Sequence, residues 1–296
     1  MVIELGKRVA VVPGGVNVGV LRGEGGQLVL VDTGLNESNA KKTLKTVREE
    51  IGGEVVAILT THAHADHFGG NATVVKRTGA RVYAPARDEA ILRYPLLAPA
   101  LLYGGADPLD SLRVRFLLAD PSPVDEIVRP GRIEVAGVPV EVIPLAGHSI
   151  NQVGYLVDGV FFCADVVLPE AVLAKYRITY LFSVTDHLQA LETAAQVSYE
   201  AAVPGHGAVV VSLNELIALN RRLLDDVAER VVAFAGDGAT AEEILARLLR
   251  HYEADVADAP AFYLLQPTAL AFLSHLQRAG RVSQAVRDGR SLWRAT

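Results

Sequence analysis

Thr61-His62-Ala63-His64-Ala65-Asp66-His67 sets three imidazoles and one carboxylate within the six residues from His62 to His67, separated only by alanine. Packing does not account for such a run. Buried without partners these groups are expensive to desolvate, and on the surface they add nothing to stability. The alanines leave room for the chain to wrap around an ion. The apolar run Val55 to Thr61 leads into it, and three further apolar runs end in the same kind of side chain: Val140 to Gly147 in His148, Val160 to Ala164 in Asp165, and Ala201 to Gly205 in His206. Strands running to one sheet edge would gather these donors on rigid supports. Imidazole and carboxylate suit Zn2+ where no thiolate is offered, with Fe2+ and Mn2+ as alternatives. A structural zinc site would favour thiolates, and the chain has one cysteine, Cys163. The pattern reads as an open, catalytic site.

Around these runs the sequence alternates short strands and helices. Strands are expected at Val9–Val12, Asn17–Leu21, Gln27–Val31, Val55–Thr60, Arg81–Ala84, Val138–Ile143, Gly154–Val157, Val160–Ala164 and Ala202–Val203, all rich in Val and Ile and bounded by Gly, Asp or Pro. Helices are expected at Asn39–Ile51 and Gly70–Arg77, the second ended by Thr78-Gly79. This order argues for an α/β protein with sheets between helices. Residues 86–130 carry Pro95, Pro99, Pro108, Pro121, Pro123 and Pro130 around the apolar stretch Leu96 to Tyr103, and read as an irregular insertion. It is either a packed loop or oligomer contact, or a lid beside the site. Residues 1–212 are expected to form the catalytic unit and 213–296 a helical one. The latter has helices at Leu213–Ala235, from Thr240 (its N-cap, with Glu243 completing a capping box), and at Pro267–Gly280, then a hairpin around Asp288-Gly289. Helices followed by a hairpin suggest a winged-helix-like extension.

With 296 residues, 50% of them hydrophobic and 21% charged, the chain can build a substantial core. Its net charge of −6 gives no electrostatic reason to expect a nucleic-acid partner. The N-terminal apolar run meets Pro13, Gly14 and Gly15 too early for a signal peptide. The longest apolar stretches fall short of the ~20 residues a spanning helix needs. A cytoplasmic protein without membrane association is expected.

His62-x-His64-x-Asp66-His67, then His148 in Ala-Gly-His-Ser, Asp165 in Cys-Ala-Asp and His206 in Pro-Gly-His-Gly, resembles the signature of the metallo-β-lactamase superfamily, in the same order. Asp32 in Val-Asp-Thr-Gly resembles that family's early Asp-x-Gly element, so the likeness runs from about Asn17 to His206. The resemblance implies an αββα sandwich of two mixed sheets flanked by helices. It also implies two divalent metal ions, Zn2+ first. His62, His64 and His148 would hold one, Asp66, His67 and His206 the other, with Asp165 bridging both. A water between the metals, acidified toward hydroxide, would attack a carbonyl or phosphorus centre while the metals stabilise the developing oxyanion. Asp66 would orient that hydroxide and carry a proton to the leaving group. Asp32 is read as accepting a hydrogen bond from a ligating imidazole, with a turn-forming Asp as the plainer alternative.

The remaining candidates are weaker. His187, at a helix start with Asp186 and Gln189 in an N-cap arrangement, and Tyr176 and Tyr180 in the same loop are candidates for substrate contact, with packing as the competing role. His251 and His275 lie in the helical tail and read as packing residues. The ending Pro204-Gly205-His206-Gly207 differs from that of persulfide dioxygenases and glyoxalase II enzymes, and His64 in place of Glu argues against flavodiiron oxidases. What remains is hydrolysis of an ester, thioester, lactone or phosphodiester, and the apolar Leu96–Tyr103 segment favours an ester, thioester or lactone of a small, partly apolar substrate. The alternative is an endoribonuclease or phosphodiesterase, because the helical tail resembles the extra domain of a branch containing endoribonucleases. A homo-oligomer is left open.

Overall fold

In strand Gln27–Val31, successive side chains enter different cores. Leu28 and Leu30 face one apolar cluster, Val29 and Val31 another. Period-two alternation sends neighbours to opposite faces, and a strand apolar on both must be covered on both. The computed structural model, which describes residues 1–296, shows what covers them. One sheet runs in chain order through seven strands: β1 (Ile3–Glu4), β2 (Val9–Val12), β3 (Val18–Arg22), β4 (Gln27–Val31), β5 (Glu54–Leu59), β6 (Arg81–Pro85) and β7 (Glu126–Val128). It is antiparallel as far as β4 and parallel beyond it. The second sheet has five strands in the order β12-β11-β10-β9-β8: β8 (Gly131–Val135), β9 (Val138–Pro144), β10 (Val153–Val157), β11 (Val160–Ala164) and β12 (Ala201–Pro204). All its pairs are antiparallel except β11 with β12.

Val29, Val31 and Leu59 of the first sheet meet Val140, Val142, Tyr155 and Phe162 of the second, and this is the core between the sheets. Outside the first sheet lie helices α1 (Glu37–Thr46), α2 (Ala65–Phe68) and α3 (Asn71–Thr78), with Ala40, Phe68 and Val74 against Leu30, Ile58 and Val82. Outside the second lie α6 (Glu170–Tyr176) and α7 (Val184–Gln196). The fold is therefore an αββα sandwich with both sheets mixed. Its parallel strands matter most for the site: β5 ends three residues before His62, β11 one before Asp165 and β12 two before His206.

The 86–130 segment is more ordered than its prolines suggest. It holds helices α4 (Asp88–Arg93) and α5 (Leu97–Leu102), a 3-10 turn at Asp110–Leu112, and strand β7. Pro95 lies just ahead of α5 and Pro99 in its first turn, where a missing N–H costs nothing. Strand β8 has no counterpart among the expected strands, because Gly131-Arg-Ile-Glu alternates without a strong apolar run. It pairs with β9 through a tight turn at Ala136-Gly137, both at positive φ.

Beyond Ser212 come α8 (Asn214–Ala235), α9 (Ala241–His251), α10 (Ala259–Arg278) and the hairpin β13 (Val282–Arg287) and β14 (Arg290–Ala295). Thr240 and Glu243 complete the capping box of α9. The hairpin turns at Asp288-Gly289, both at positive φ, as a two-residue turn demands. Helix α10 starts at Ala259, eight residues before the expected Pro267. Asp258 caps it by accepting from Ala261 N at 2.8 Å, and Pro267 is carried inside. Burial of Leu265, Thr268 and Phe272 on either side outweighs the one hydrogen bond lost at the proline. One apolar cluster joins Phe161, Cys163 and Val166 of the sandwich to Leu191 of α7 and to Val231, Leu245 and Phe272 of the tail. Leu245 is fully buried in that cluster, so Leu245→Ala is expected to cost about 2–5 kcal/mol. Urea unfolding followed by circular dichroism should show one transition for the whole chain. A tail that melts first would show that the shared core does not couple the two regions.

Candidate metal centre

The tips of β5, β9, β11 and β12 bring His62, His64, Asp66, His67, His148, Asp165 and His206 together as three overlapping groups of donors. In the first group His64 Nδ1 lies 3.1 Å from His62 Nε2 and 3.0 Å from His148 Nε2, so three nitrogens surround one point. Ligands about 2.0–2.1 Å from one tetrahedral zinc would stand roughly 3.3 Å apart, close to this. The second group is His62, His67 and Asp165, and in the third Asp66 Oδ2 lies 3.4 Å from His206 Nε2 and 4.0 Å from His67 Nε2. Asp165 faces the first and the third: Oδ2 is 3.4 Å from His148 Nε2 and 3.4 Å from His206 Nε2, and Oδ1 is 3.5 Å from His67 Nε2.

The surrounding chain aims these rings. Asp32 accepts from Thr61 N at 2.8 Å and from the Thr61 hydroxyl at 2.7 Å, and its Oδ2 also accepts from His67 Nδ1 at 2.8 Å. Because the Thr61 hydroxyl proton points to Asp32, Thr61 Oγ1 accepts from His62 Nδ1 at 3.0 Å, leaving His62 Nε2 as the lone-pair atom that faces His64. His206 Nδ1 donates to the Gly15 carbonyl at 2.6 Å, which likewise turns Nε2 inward. Asn17 steadies that loop, its amide donating to Pro204 O at 2.9 Å and Gly207 O at 2.8 Å. Asp32 and Ala164 both hold left-handed backbone, φ 60° and 49°, which Asp tolerates better than Ala, so the strain lies chiefly at Ala164.

The charge balance suits a cation. Burial, followed by neighbouring imidazoles, pushes His62 and His148 well below the usual histidine range, so their lone pairs are free. Burial opposes charge on Asp66 and Asp165 too, but the surrounding histidines outweigh it. They hold Asp66 at about 2 and Asp165 well below the carboxylate range. For His67 and His206 burial again works against the charged ring, but the carboxylates prevail, lifting His67 well above its ordinary value and His206 to about 10. Two buried atoms, His67 Nε2 and Asp165 Oδ1, have no hydrogen-bond partner and face each other at 3.5 Å. Polar atoms are seldom left so in a core, and a shared cation satisfies both. The residues present therefore fit divalent metal.

Among the remaining candidates, Tyr180 stands at the centre's rim, its ring centroid 5.2 Å from that of His64 and 6.1 Å from that of His148. Tyr176, the last residue of α6, is 52% exposed, with the Lys175 ammonium over its ring. His187 is buried in the first turn of α7, and burial lowers it to about 4. The N-cap of that helix is Ser183, whose hydroxyl accepts from Asp186 N, rather than the expected Asp186 and Gln189. His251 packs on Phe234 and Tyr252, and His275 meets the Thr185 hydroxyl at 2.9 Å, both away from the centre on the helices. Sequence reasoning misses Thr61, Asn17 and Asp88. Each acts through a main-chain or hydroxyl contact distant in sequence, and a lone polar residue gives no periodic signal of that. An open depression of about 370 Å3 lies elsewhere, at the end of α9 around Leu249, Arg250 and Asp255, and holds none of these donors.

The sequence profile of the metallo-beta-lactamase superfamily matches residues 11–206, and the chain belongs to that superfamily as one of its hydrolases. Over 296 aligned residues it is 22% identical to an atrochrysone carboxyl ACP thioesterase of Aspergillus fumigatus, covering 94% of this chain and 81% of that one. A stretch of 131 residues is 30% identical to a hydroxyacylglutathione hydrolase of Rhodopseudomonas palustris, covering 44% of this chain and only 40% of that one. In fold the chain is similar to a beta-lactamase domain protein from Burkholderia ambifaria, with a TM-score of 0.77, 20% identity, and coverage of 100% and 95%. It is also similar to a metallo-beta-lactamase family protein from Thermus thermophilus, at 0.73, 22%, and 97% and 98%. No helix is long and apolar enough to cross a membrane.

Gly205 lies against the donors: a Cβ there would stand 2.0 Å from Asp165 Oδ1 and 2.9 Å from His67 Cε1. Gly205→Ala is therefore expected to abolish tight metal uptake while far-ultraviolet circular dichroism stays native. Wild-type metal content in that variant would contradict the placement. Because the carboxylates hold protons on His67 and His206, metal uptake near neutral pH should release protons and weaken as pH falls. Calorimetric titrations giving the same heat in buffers of different ionisation enthalpy would contradict this.

Proposed function

We propose that the chain is a dinuclear metallohydrolase that cleaves an ester, thioester or lactone in a small, partly apolar substrate, with acyl thioesters first. The observation that carries the reading is the single Asp165 carboxylate facing two donor groups beside a wall of aromatic and aliphatic side chains. His62, His64 and His148 would hold one cation, Asp66, His67 and His206 the other, and Asp165 both. When bound, a divalent pair (Zn2+ first, Fe or Mn as alternatives) supplies Lewis acidity and lowers the pKa of a nearby water. The rest of the work falls to the protein. Asp66, His206 and His64 are the partly exposed members, with the Asp66 and His206 side chains 21% and 22% exposed against 0% for His67 and 5% for Asp165, so substrate reaches the centre across these three. Asp66 is placed to orient the attacking water and to pass its proton to the leaving group.

The wall favours an apolar acyl group. Tyr180 packs on a small apolar cluster of Leu102, Leu112 and Leu117 from the 86–130 segment, against which Tyr103 and, from α10, Tyr263 and Leu264 also pack. Burial, with Asp88 nearby, pushes the Tyr180 phenol up to about 12, so it stays a hydrogen-bond donor for a substrate carbonyl. On this reading 86–130 is a lid and 213–296 an appended, winged-helix-like unit that completes the pocket of a 1–212 catalytic unit. His187, buried against the Gly147–His148 loop, and the exposed Tyr176 are kept as secondary substrate contacts. The thioesterase and hydroxyacylglutathione hydrolase among the relatives support thioester chemistry. The one thiol, Cys163, is buried and free, in keeping with a cytoplasmic setting. Phosphodiester cleavage is the competing reading, weakened by the net charge of −6.

Metal analysis should return about two equivalents per chain. Acyl-thioester, nitrophenyl ester, lactone and single-stranded RNA substrates compared at low salt should show turnover of the first; RNA cleavage without ester turnover would replace the proposal. Asp66→Asn should lower kcat about 100-fold or more, and full activity in that variant would remove Asp66 from the chemistry. Tyr180→Ala should raise KM for long acyl groups more than for acetyl ones. Equal effects on both would reject the wall.

A further inference from the structure

Asp88 opens α4, far in sequence from every donor, and is fully buried. Its Oδ1 accepts from Ala63 N at 3.0 Å, and its Oδ2 accepts from Asn151 N at 2.7 Å. Ala63 is the residue between His62 and His64, and Asn151 lies in the loop just after His148. One carboxylate thus grips the two loops that supply the three-histidine group. Its partners are main-chain amides rather than a basic side chain, and burial raises its pKa to about 6, with those amides working the other way. The hydroxyl of Ser149 lies close enough to favour the charged form without making a hydrogen bond. Holding a carboxylate in a core without a cation opposes folding, so stability does not explain it. Two amides that each need an acceptor do: a carboxylate offers two acceptor oxygens, an asparagine only one.

We infer that Asp88 is a positioning residue that clamps the 62–64 loop to the 148–151 loop and so sets the spacing of His62, His64 and His148. The inference rests on the reading of these three as a metal-holding group. It has a built-in control, since Asp88 makes no hydrogen bond to Asp66, His67 or His206, and the two rings are held instead by Asp32 on His67 and the Gly15 carbonyl on His206. Loss of the clamp should therefore loosen one donor group and spare the other.

The test uses the full-length chain with Asp88→Asn, nearly isosteric but with an amide N–H2 facing one of the two main-chain donors. Competition with a chromophoric chelator should show one metal equivalent weakened about 10–100-fold, the size found when ligand-supporting partners are removed, and the other unchanged. The visible spectrum of the Co2+-loaded variant should change in the same equivalent. Neither equivalent weakened, or both weakened alike, would overturn the inference. Wild-type protein stripped of metal gives a second readout that does not depend on the variant folding. The Ala63 and Asn151 amides should exchange slowly with deuterium, and rapid exchange at either would also overturn it. Absence of hydrolysis on every substrate would sink the functional reading and leave these metal titrations as informative as before.

Discussion

Three carboxylates, Asp32, Asp66 and Asp165, stand among five imidazoles where water hardly reaches, and this crowding of like and unlike charge is the constraint on which the structure turns. Asp32 and Asp165 are 3% and 4% exposed. Left to relax, such groups would separate or draw in water. They stay because each is attached to main chain that cannot move: Asp165 directly follows a sheet strand, Asp32 accepts three hydrogen bonds, and His67 is seated in a helix of four residues wedged under the sheet.

The sandwich supplies that rigidity through its topology. Parallel pairing of β11 with β12 sends Asp165 and His206 off one edge of the second sheet, and parallel pairing of β4 with β5 delivers Asp32 and His62 at the facing edge of the first. The core between the sheets holds the two edges in register. Tyr155 ties them further, its phenol donating across to Thr60 O at 2.8 Å, just ahead of the histidine run. The left-handed backbone at Ala164, one residue before Asp165, marks where this geometry is enforced against local preference.

Much of this is legible in the residues because the strongest signals are local and chemical. The apolar strands ending in His or Asp carry their own punctuation, and the sheets form where Val and Ile cluster. The failures have physical reasons. Strand β8 has exposed Arg132 and Glu134 alternating with less exposed partners, so its apolar signal is thin. Helices α4 and α5 are short and proline-flanked, and what fixes them is tertiary burial of Leu92 and Leu102 rather than propensity. The early part of α10 is hidden by Pro267, a breaker that burial overrules. At the centre, the donor residues can be singled out by type and spacing. The braces cannot, because Asn17, Thr61 and Asp88 are ordinary polar residues until the fold sets a distant main-chain group in front of them.

The apolar cluster that Tyr180 joins comes from segments that build neither sheet: Leu102, Tyr103, Leu112 and Leu117 from the 86–130 segment, Tyr263 and Leu264 from α10. The donors, by contrast, hang from strand ends locked into the sandwich. On the function proposed above, reactivity and selectivity lie in separate stretches of the chain, one fixed by the sheets and the other outside them. A different insertion or tail would then alter which substrate fits without disturbing the strand ends that carry the donors.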